Sequence, residues 1–317
     1  MEARFKVVVT DAETATLPIE QHAVEQIGGR LVVGNCSSEE DVIELAGDAD
    51  AVLYDYAPIT ARVIDAFDRC RVIVRYGVGL DRIDLAAAEA KGIEVRYLPG
   101  WSAEEVSDHV MALAFGLARK LLPLDRWVRE GHWGYAGERN TVRIVGKRVG
   151  LIGFGSIARR VAAKANGLGM EVVAYDPYVE PCIFEAARVR STTLNQLLAG
   201  CDFVSLHVPL NEATAGMLGR EEFDRMRDGA FVINTARGGV LDESALVDAL
   251  REGKLAGAGL DVFADEPPPS DSPLFDLDSV ILTPHMACYS ERSMDEMHEM
   301  AIKHVVDVLG KENDDRS

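Results

Sequence analysis

Six residues restrict the possible folds of this chain more than any others: Gly153-Phe154-Gly155-Ser156-Ile157-Ala158. The GxGxxA spacing is weak by itself, and its surroundings make it specific. An apolar run over 149–152 precedes it, an amphipathic stretch to about 168 follows it, and a second apolar run ends at Asp176, 23 positions after Gly153. Strand, glycine turn, helix and a second strand ending in an acid are the parts of a parallel βαβ unit that binds a dinucleotide. Gly153 permits the tight turn, Gly155 lets the backbone approach a pyrophosphate, and Ala158 is small enough for the helix to pack on the strand. The helix start at Ser156 and Ile157 adds N–H donors and positive partial charge. Asp176 can accept hydrogen bonds from both adenosine ribose hydroxyls, and its charge would repel a 2′-phosphate. The expected cofactor is therefore NAD rather than NADP.

The rest of the chain repeats this alternation. Short β-branched runs at 5–9, 30–33, 51–54, 71–74 and 94–96 alternate with helical segments at about 20-residue spacing, which predicts a parallel sheet with crossover helices. A second series, with strands at 148–152, 171–175, 203–206, 230–233, 256–259 and 280–282, begins at Lys147. The segment 97–103 breaks the pattern and reads as a crossing between domains. Ser102 is placed to cap a long helix to about 122, which Pro123 interrupts. The fold class expected is α/β: two doubly wound parallel-sheet domains with the active-site cleft between them. A flavodoxin-like substrate domain is formed by 1–100 and 289–317, and a Rossmann dinucleotide domain by 101–288. The final helix, near 289–309, is expected to return to the first domain, with a frayed tail at 311–317.

Composition removes several classes. With 33 basic and 52 acidic residues the formal charge is −19, which argues against nucleic acid and anionic membrane surfaces as partners. No apolar run approaches the roughly 20 residues needed to span a bilayer, and the first residues do not resemble a signal peptide, so a cytoplasmic location is expected. The five cysteines, Cys36, Cys70, Cys182, Cys201 and Cys288, are scattered and form no CxxC pair. Neither a disulfide framework nor a metal site is expected.

Several motifs in order carry a resemblance across nearly the whole chain: Tyr76-Gly77-Val78-Gly79-Leu80-Asp81, Gly153–Ala158, Leu206-His207-Val208-Pro209-Leu210, Asn234-Thr235-Ala236-Arg237-Gly238-Gly239, Leu260-Asp261-Val262-Phe263 with Asp265-Glu266-Pro267, and Thr283-Pro284-His285. In these the chain resembles the D-isomer-specific 2-hydroxyacid dehydrogenases; in Glu104-Glu105-Val106-Ser107-Asp108-His109 and Tyr289-Ser290-Glu291 it resembles most the branch of the C-terminal-binding-protein corepressors, with the D-3-phosphoglycerate dehydrogenases as next neighbours.

The chemistry can be followed on the residues. Reducing a 2-keto acid requires a hydride, a cation for the carboxylate and carbonyl, and an acid for the new alkoxide. Arg237 follows a strand and offers a planar fork suited to a carboxylate. His285 follows another strand and titrates near neutral pH, which suits reversible proton transfer. Glu266 is expected to bond the second ring nitrogen and hold the ring. The resemblance implies the same roles, and places Asp261 at the nicotinamide carboxamide, with helix capping as the other reading. His207, Pro209, Thr214, Thr235 and Ala236 are expected to line the cofactor, as is His285. Arg75, Tyr76, Gly77, Val78, Gly79, Trp101, Arg237 and Cys288 are expected to meet the substrate.

The substrate's identity stays open in the sequence. A second anion on Arg75 would suit phosphonopyruvate or 3-phosphohydroxypyruvate; otherwise glyoxylate, hydroxypyruvate or an aliphatic keto acid fits equally. A NAD(H)-sensing, corepressor-like binding module is the alternative to an enzyme. The resemblance and the long helix from Ser102 both imply a homodimer, and the run Trp133-Gly134-Tyr135 is a candidate for reaching a partner subunit's site.

Overall fold

The computed structural model describes residues 3–12, 17–134 and 141–310. Tyr135 and the tail 311–317 lie outside the described residues. The chain divides into two compact units, Met1–Trp101 with Ser290–Ser317, and Ser102–Tyr289.

The first unit runs β1 (Phe5–Val9), α1 (Pro18–Gln26), β2 (Gly29–Val33), α2 (Glu39–Ala46), β3 (Ala51–Tyr54), α3 (Ala61–Asp65), β4 (Val72–Arg75), α4 (Leu85–Ala90) and β5 (Glu94–Arg96). The strands are parallel, in the order β2-β1-β3-β4-β5, the flavodoxin-like winding. β1, β3 and β4 are buried along their whole length, which explains why they read as unbroken apolar runs. Ser38 starts α2 with a capping box shared with Asp41. The C-terminal helix, Glu291–Leu309, is capped by Ser290 and covers one sheet face. Its Met297, Ala301, Ile302 and Val305 pack with Val7, Val9, Val72 and Val74.

The second unit contains α5 (Ala103–Arg119), α6 (Leu121–Arg129), β6 (Arg148–Ile152), α7 (Ser156–Gly167), β7 (Glu171–Tyr175), α8 (Pro181–Ala186), β8 (Arg190–Ser191), α9 (Leu194–Gly200), β9 (Phe203–Leu206), α10 (Arg220–Arg225), β10 (Ala230–Asn234), α11 (Glu243–Arg251), β11 (Leu255–Leu260) and β12 (Val280–Leu282). Its parallel sheet has the order β12-β11-β10-β9-β6-β7-β8. This is the Rossmann winding, and the strand order reverses between β6 and β9, so the loops leaving those two strands meet at the switch point.

The expected long helix from Ser102 is two helices. The break falls at Lys120, in the left-handed region at φ +52, and not at Pro123. Proline is the third residue of α6, where a backbone N–H has no intrahelical acceptor and its absence costs little. Ser102 occupies the N-cap of α5 without a side-chain capping bond. Helix α5 lies close on the sheet because β11 is glycine-rich. A Cβ at Gly259 would stand 3.0 Å from Leu113 Cβ, and one at Gly257 would stand 3.2 Å from Leu117 Cδ2. No helix among the described residues is long and apolar enough to cross a membrane.

Candidate active site

The glycine loop is built as its spacing implies. Gly153 has φ +89, and a Cβ there would lie 2.5 Å from the His207 carbonyl oxygen. The loop after β6 therefore rests directly on the backbone leaving β9. Asp176, at the end of β7, accepts Phe154 N at 2.8 Å on Oδ2 and Tyr178 N at 2.9 Å on Oδ1. Each carboxylate oxygen keeps a second lone pair for a hydroxyl. Gly155 caps α7, and a Cβ there would meet nothing within 4 Å, while Ala158 is buried under the helix.

Further residues along the same ends of the strands fit a dinucleotide. The buried hydroxyl of Thr235, just past β10, has no hydrogen-bond partner among the described residues, and Ala236 follows it. His207 is bonded through Nε2 to Ser205 Oγ at 2.9 Å, and burial pushes its pKa down to about 4, so its ring is neutral at pH 7. Thr214 Oγ donates to the Pro209 carbonyl at 2.5 Å and accepts Asn211 N at 2.9 Å, which fixes the turn 209–214.

The three expected catalytic residues stand on three loops of this unit. Buried Asn234 pins the first loop, accepting Ala236 N at 3.0 Å and donating to the Arg237 carbonyl at 2.9 Å. The Arg237 guanidinium bonds the Ala236 carbonyl at 2.8 Å. Next to it Gly238 touches the following loop backbone to backbone: a Cβ there would lie 1.8 Å from the Phe263 carbonyl carbon. That second loop carries Glu266, whose Oε1 accepts Phe263 N at 3.1 Å and whose Oε2 bonds His285 Nδ1 at 2.8 Å. Burial alone would raise the Glu266 pKa. The His285 hydrogen bond, the Phe263 N–H and the charges of His285 and Arg237 outweigh it, and the carboxyl sits below its usual range. An ionised carboxylate only accepts, so Nδ1 carries the hydrogen.

His285 has φ +56, a conformation that a residue with a side chain holds only when its surroundings enforce it. Asp261 supplies the enforcement. Its carbonyl accepts His285 N at 2.8 Å. Its carboxylate accepts Thr283 Oγ at 2.5 Å and Met286 N at 3.0 Å on Oδ1, and Ala287 N at 2.8 Å on Oδ2. Asp261, expected at the nicotinamide carboxamide, thus has a fully buried side chain bonded to the chain's own 283–287 loop. Cys288, the next residue of that segment, is half-buried.

The remaining substrate candidates belong to the first unit. Arg75 is buried, with Nη1 2.5 Å from Asp55 Oδ1 and a further hydrogen bond to the Tyr76 carbonyl. Its guanidinium lies over the rings of Tyr54 and Tyr56, each 5.8 Å away. Gly77, at φ +137, leaves room for it: a Cβ there would come within 2.6 Å of Arg75 Nη1. Tyr76 is turned inward, donating to Glu20 Oε1 at 2.7 Å, and His298 Nδ1 bonds the same carboxylate at 2.5 Å. Val78 is exposed, Gly79 half-exposed, and Trp101 packs partly buried against the cluster under the C-terminal helix. Sequence reasoning reads His298 as a surface or packing residue, and it packs on Glu20 and Tyr76; it missed the roles of Asn234, Gly238, Asp55 and Glu20. Only Asn234 and Gly238 left a signal, as members of the motif around Arg237.

Comparison with known proteins shows the family. The model of the D-isomer specific 2-hydroxyacid dehydrogenase NAD binding domain matches residues 111–287. A glyoxylate reductase of Korarchaeum cryptofilum is 40% identical over 273 residues, covering 85% of this chain and 82% of that protein. A D-3-phosphoglycerate dehydrogenase of Archaeoglobus fulgidus is 38% identical over 277 residues, covering 85% of this chain but only 52% of that protein, so the chain spans about half the length of this relative. Among solved structures, D-lactate dehydrogenase from Aquifex aeolicus complexed with NAD and lactic acid superposes with a TM-score of 0.86 at 30% identity, covering 96% of each chain. These likenesses make the chain an NAD-dependent oxidoreductase belonging to the D-isomer specific 2-hydroxyacid dehydrogenase family.

Proposed function

We propose that this chain reduces a small, unphosphorylated 2-keto acid of the glyoxylate or hydroxypyruvate type to the D-2-hydroxy acid, with Arg237, Glu266 and His285 as its working groups. The carrying observation is the 2.8 Å bond between Glu266 Oε2 and His285 Nδ1. It fixes the tautomer and leaves Nε2 as the nitrogen that exchanges the proton. Bound NAD(H) supplies or takes the hydride at the 2-carbon. Arg237 holds the carboxylate and draws charge toward the carbonyl oxygen, and charge-assisted bonds of this kind are worth roughly 1.5–3 kcal/mol each. As the carbonyl π pair moves onto oxygen, His285 Nε2 gives up its proton to that oxygen, and Glu266 stabilises the ring through the cycle. Such general acid help is worth about 10²–10⁴ in rate. The glycine loop, the α7 N-terminus, Asp176, Thr235, His207 and the Pro209–Thr214 turn hold the dinucleotide.

The environment of Arg75 supports this substrate class. Its positive charge is already matched by Asp55, which leaves it ill-suited to a phosphate or phosphonate dianion, and the glyoxylate reductase relative points the same way. The test is NADH oxidation with glyoxylate, hydroxypyruvate, pyruvate, 3-phosphohydroxypyruvate and phosphonopyruvate. The expected kcat/KM is at least about 10-fold higher for glyoxylate or hydroxypyruvate than for either phosphorus-bearing acid, the equivalent of one missing charge-assisted bond. A preference for a phosphorus-bearing acid overturns the assignment.

The same reading includes a homodimer. Helix α6 exposes Leu121, Leu122, Leu124 and Val128, and Trp133 beyond it is 86% exposed, an apolar face of the kind that marks an interface. Sedimentation equilibrium should give twice the monomer mass, and Leu124→Asp with Val128→Asp should give monomers.

A further inference from the structure

A second histidine is built into the support of the first. Helix α5 runs antiparallel to β11, with Leu117 over Gly257 and Leu113 over Gly259. One helical turn further toward the start of α5, the same stripe reaches His109, past the carboxyl end of β11, where Asp261 and Thr283 stand. There His109 Nε2 lies 2.9 Å from Thr283 Oγ and 3.6 Å from Asp261 Oδ1. The direction of each bond is fixed by donor count. Thr283 Oγ donates its single hydroxyl hydrogen to Asp261 Oδ1 at 2.5 Å. Thr283 Oγ can then only accept from His109, so His109 Nε2 carries a hydrogen and donates it.

We infer that His109 is a positioning residue for the reaction, acting on His285 through Thr283 and Asp261. The relay ends on the carboxylate that holds Met286 N and Ala287 N, the two N–H groups that follow His285. It also includes the hydroxyl two residues before His285. Together these pin both sides of a histidine kept in the left-handed region. Removing the Nε2 donor frees the Thr283 hydroxyl to turn and weakens the hold of Asp261 on the loop. The consequence is a misplaced His285 ring rather than a lost contact with either ligand. This inference rests on the reading of His285 as the proton-exchanging group.

The experiment compares His109→Leu, His109→Gln and Thr283→Val with the parent enzyme, measuring kcat and KM for glyoxylate and hydroxypyruvate and NADH affinity by fluorescence. Glutamine keeps a donor where Nε2 stands, and leucine does not. His109→Leu is expected to lower kcat about 10-fold, in line with the sensitivity of catalysis to displacements below 1 Å, with KM and NADH affinity within about twofold. His109→Gln is expected to recover most of the loss. The double variant His109→Leu with Thr283→Val is expected to be no slower than the worse single variant, since both cut one relay. Parent-like kcat in His109→Leu, equal losses in the leucine and glutamine variants, or additive losses in the double variant overturn the inference. If His109→Leu fails to fold, Thr283→Val with intact NADH binding serves instead: a kcat loss supports the relay and parent-like kcat overturns it. His285→Ala separates the two ideas. If it retains turnover, the reading of His285 fails; if it is inactive while His109→Leu turns over normally, only the relay fails.

Discussion

Gly238→Ala adds one methyl group where the structure has no room for it. The added carbon would stand 1.8 Å from the Phe263 carbonyl carbon, 2.0 Å from its oxygen and 2.3 Å from Ala264 N. Carbon–carbon contacts are comfortable at about 3.5–4.0 Å, so the two loops must part by roughly 1.5–2 Å. All three clashing atoms are backbone, and no side chain can swing aside. Overpacking of this kind costs about 1–3 kcal/mol, which for a unit of this size lowers Tm by roughly 2–12 °C. The functional cost is larger. Glu266 follows Phe263 by three residues and is anchored on its N–H, so a shift of that loop pulls Oε2 from its 2.8 Å contact with His285 Nδ1. Arg237, adjacent to the new methyl, moves the other way. A displacement near 1 Å in such groups is worth about 10² in rate. The assay is thermal unfolding together with steady-state NADH oxidation. A parent-like Tm and kcat would refute the argument that these two loops are locked together through Gly238.

Three further outcomes are expected. Asp261→Asn replaces one accepting oxygen of a buried carboxylate with a donor, leaving at least one buried N–H unpaired at about 1–3 kcal/mol; urea unfolding should show that loss, with kcat falling while NADH affinity holds. Burial keeps the His207 pKa near about 4, below the ~6.5 of an exposed histidine. The unfolded chain therefore binds a proton that the folded chain refuses, and this contribution to stability is whole above pH ~6.5 and is lost as pH falls toward 4. His207→Gln should flatten the dependence of unfolding free energy on pH across that window. Cys182 is exposed and Cys288 half-buried, whereas burial pushes the Cys36 thiol to about 11 and those of Cys70 and Cys201 to about 12. A maleimide at pH 7.5 should label the first two on the folded protein and the other three only after denaturation.

What the sequence revealed follows the range of the interactions involved. The turn at Gly153, the helix at Ser156 and the acid at Asp176 lie within one βαβ unit, and their roles depend on little beyond it. The polar segments after β10 and β12 stand out for a similar reason, because residues past the carboxyl end of a strand lie where parallel sheets bind ligands. Roles fixed by distant packing were hidden. Arg75 reads as a free cation until β3 sets Asp55 beside it. Asp261 reads as a ligand contact until the loop after β12 closes over it. His109 meets Thr283 across 174 positions, through a register set by two strand glycines. Pro123 misleads for a local reason: proline marks where a helix cannot continue, and also where a new one can comfortably begin.

The central claim is that His285 moves the proton in a 2-keto acid reduction, and His285→Ala tests it most directly. With glyoxylate or hydroxypyruvate as substrate, kcat should fall by at least about 10² while NADH binds as tightly as to the parent enzyme. Turnover near that of the parent, with the cofactor still bound, would contradict it.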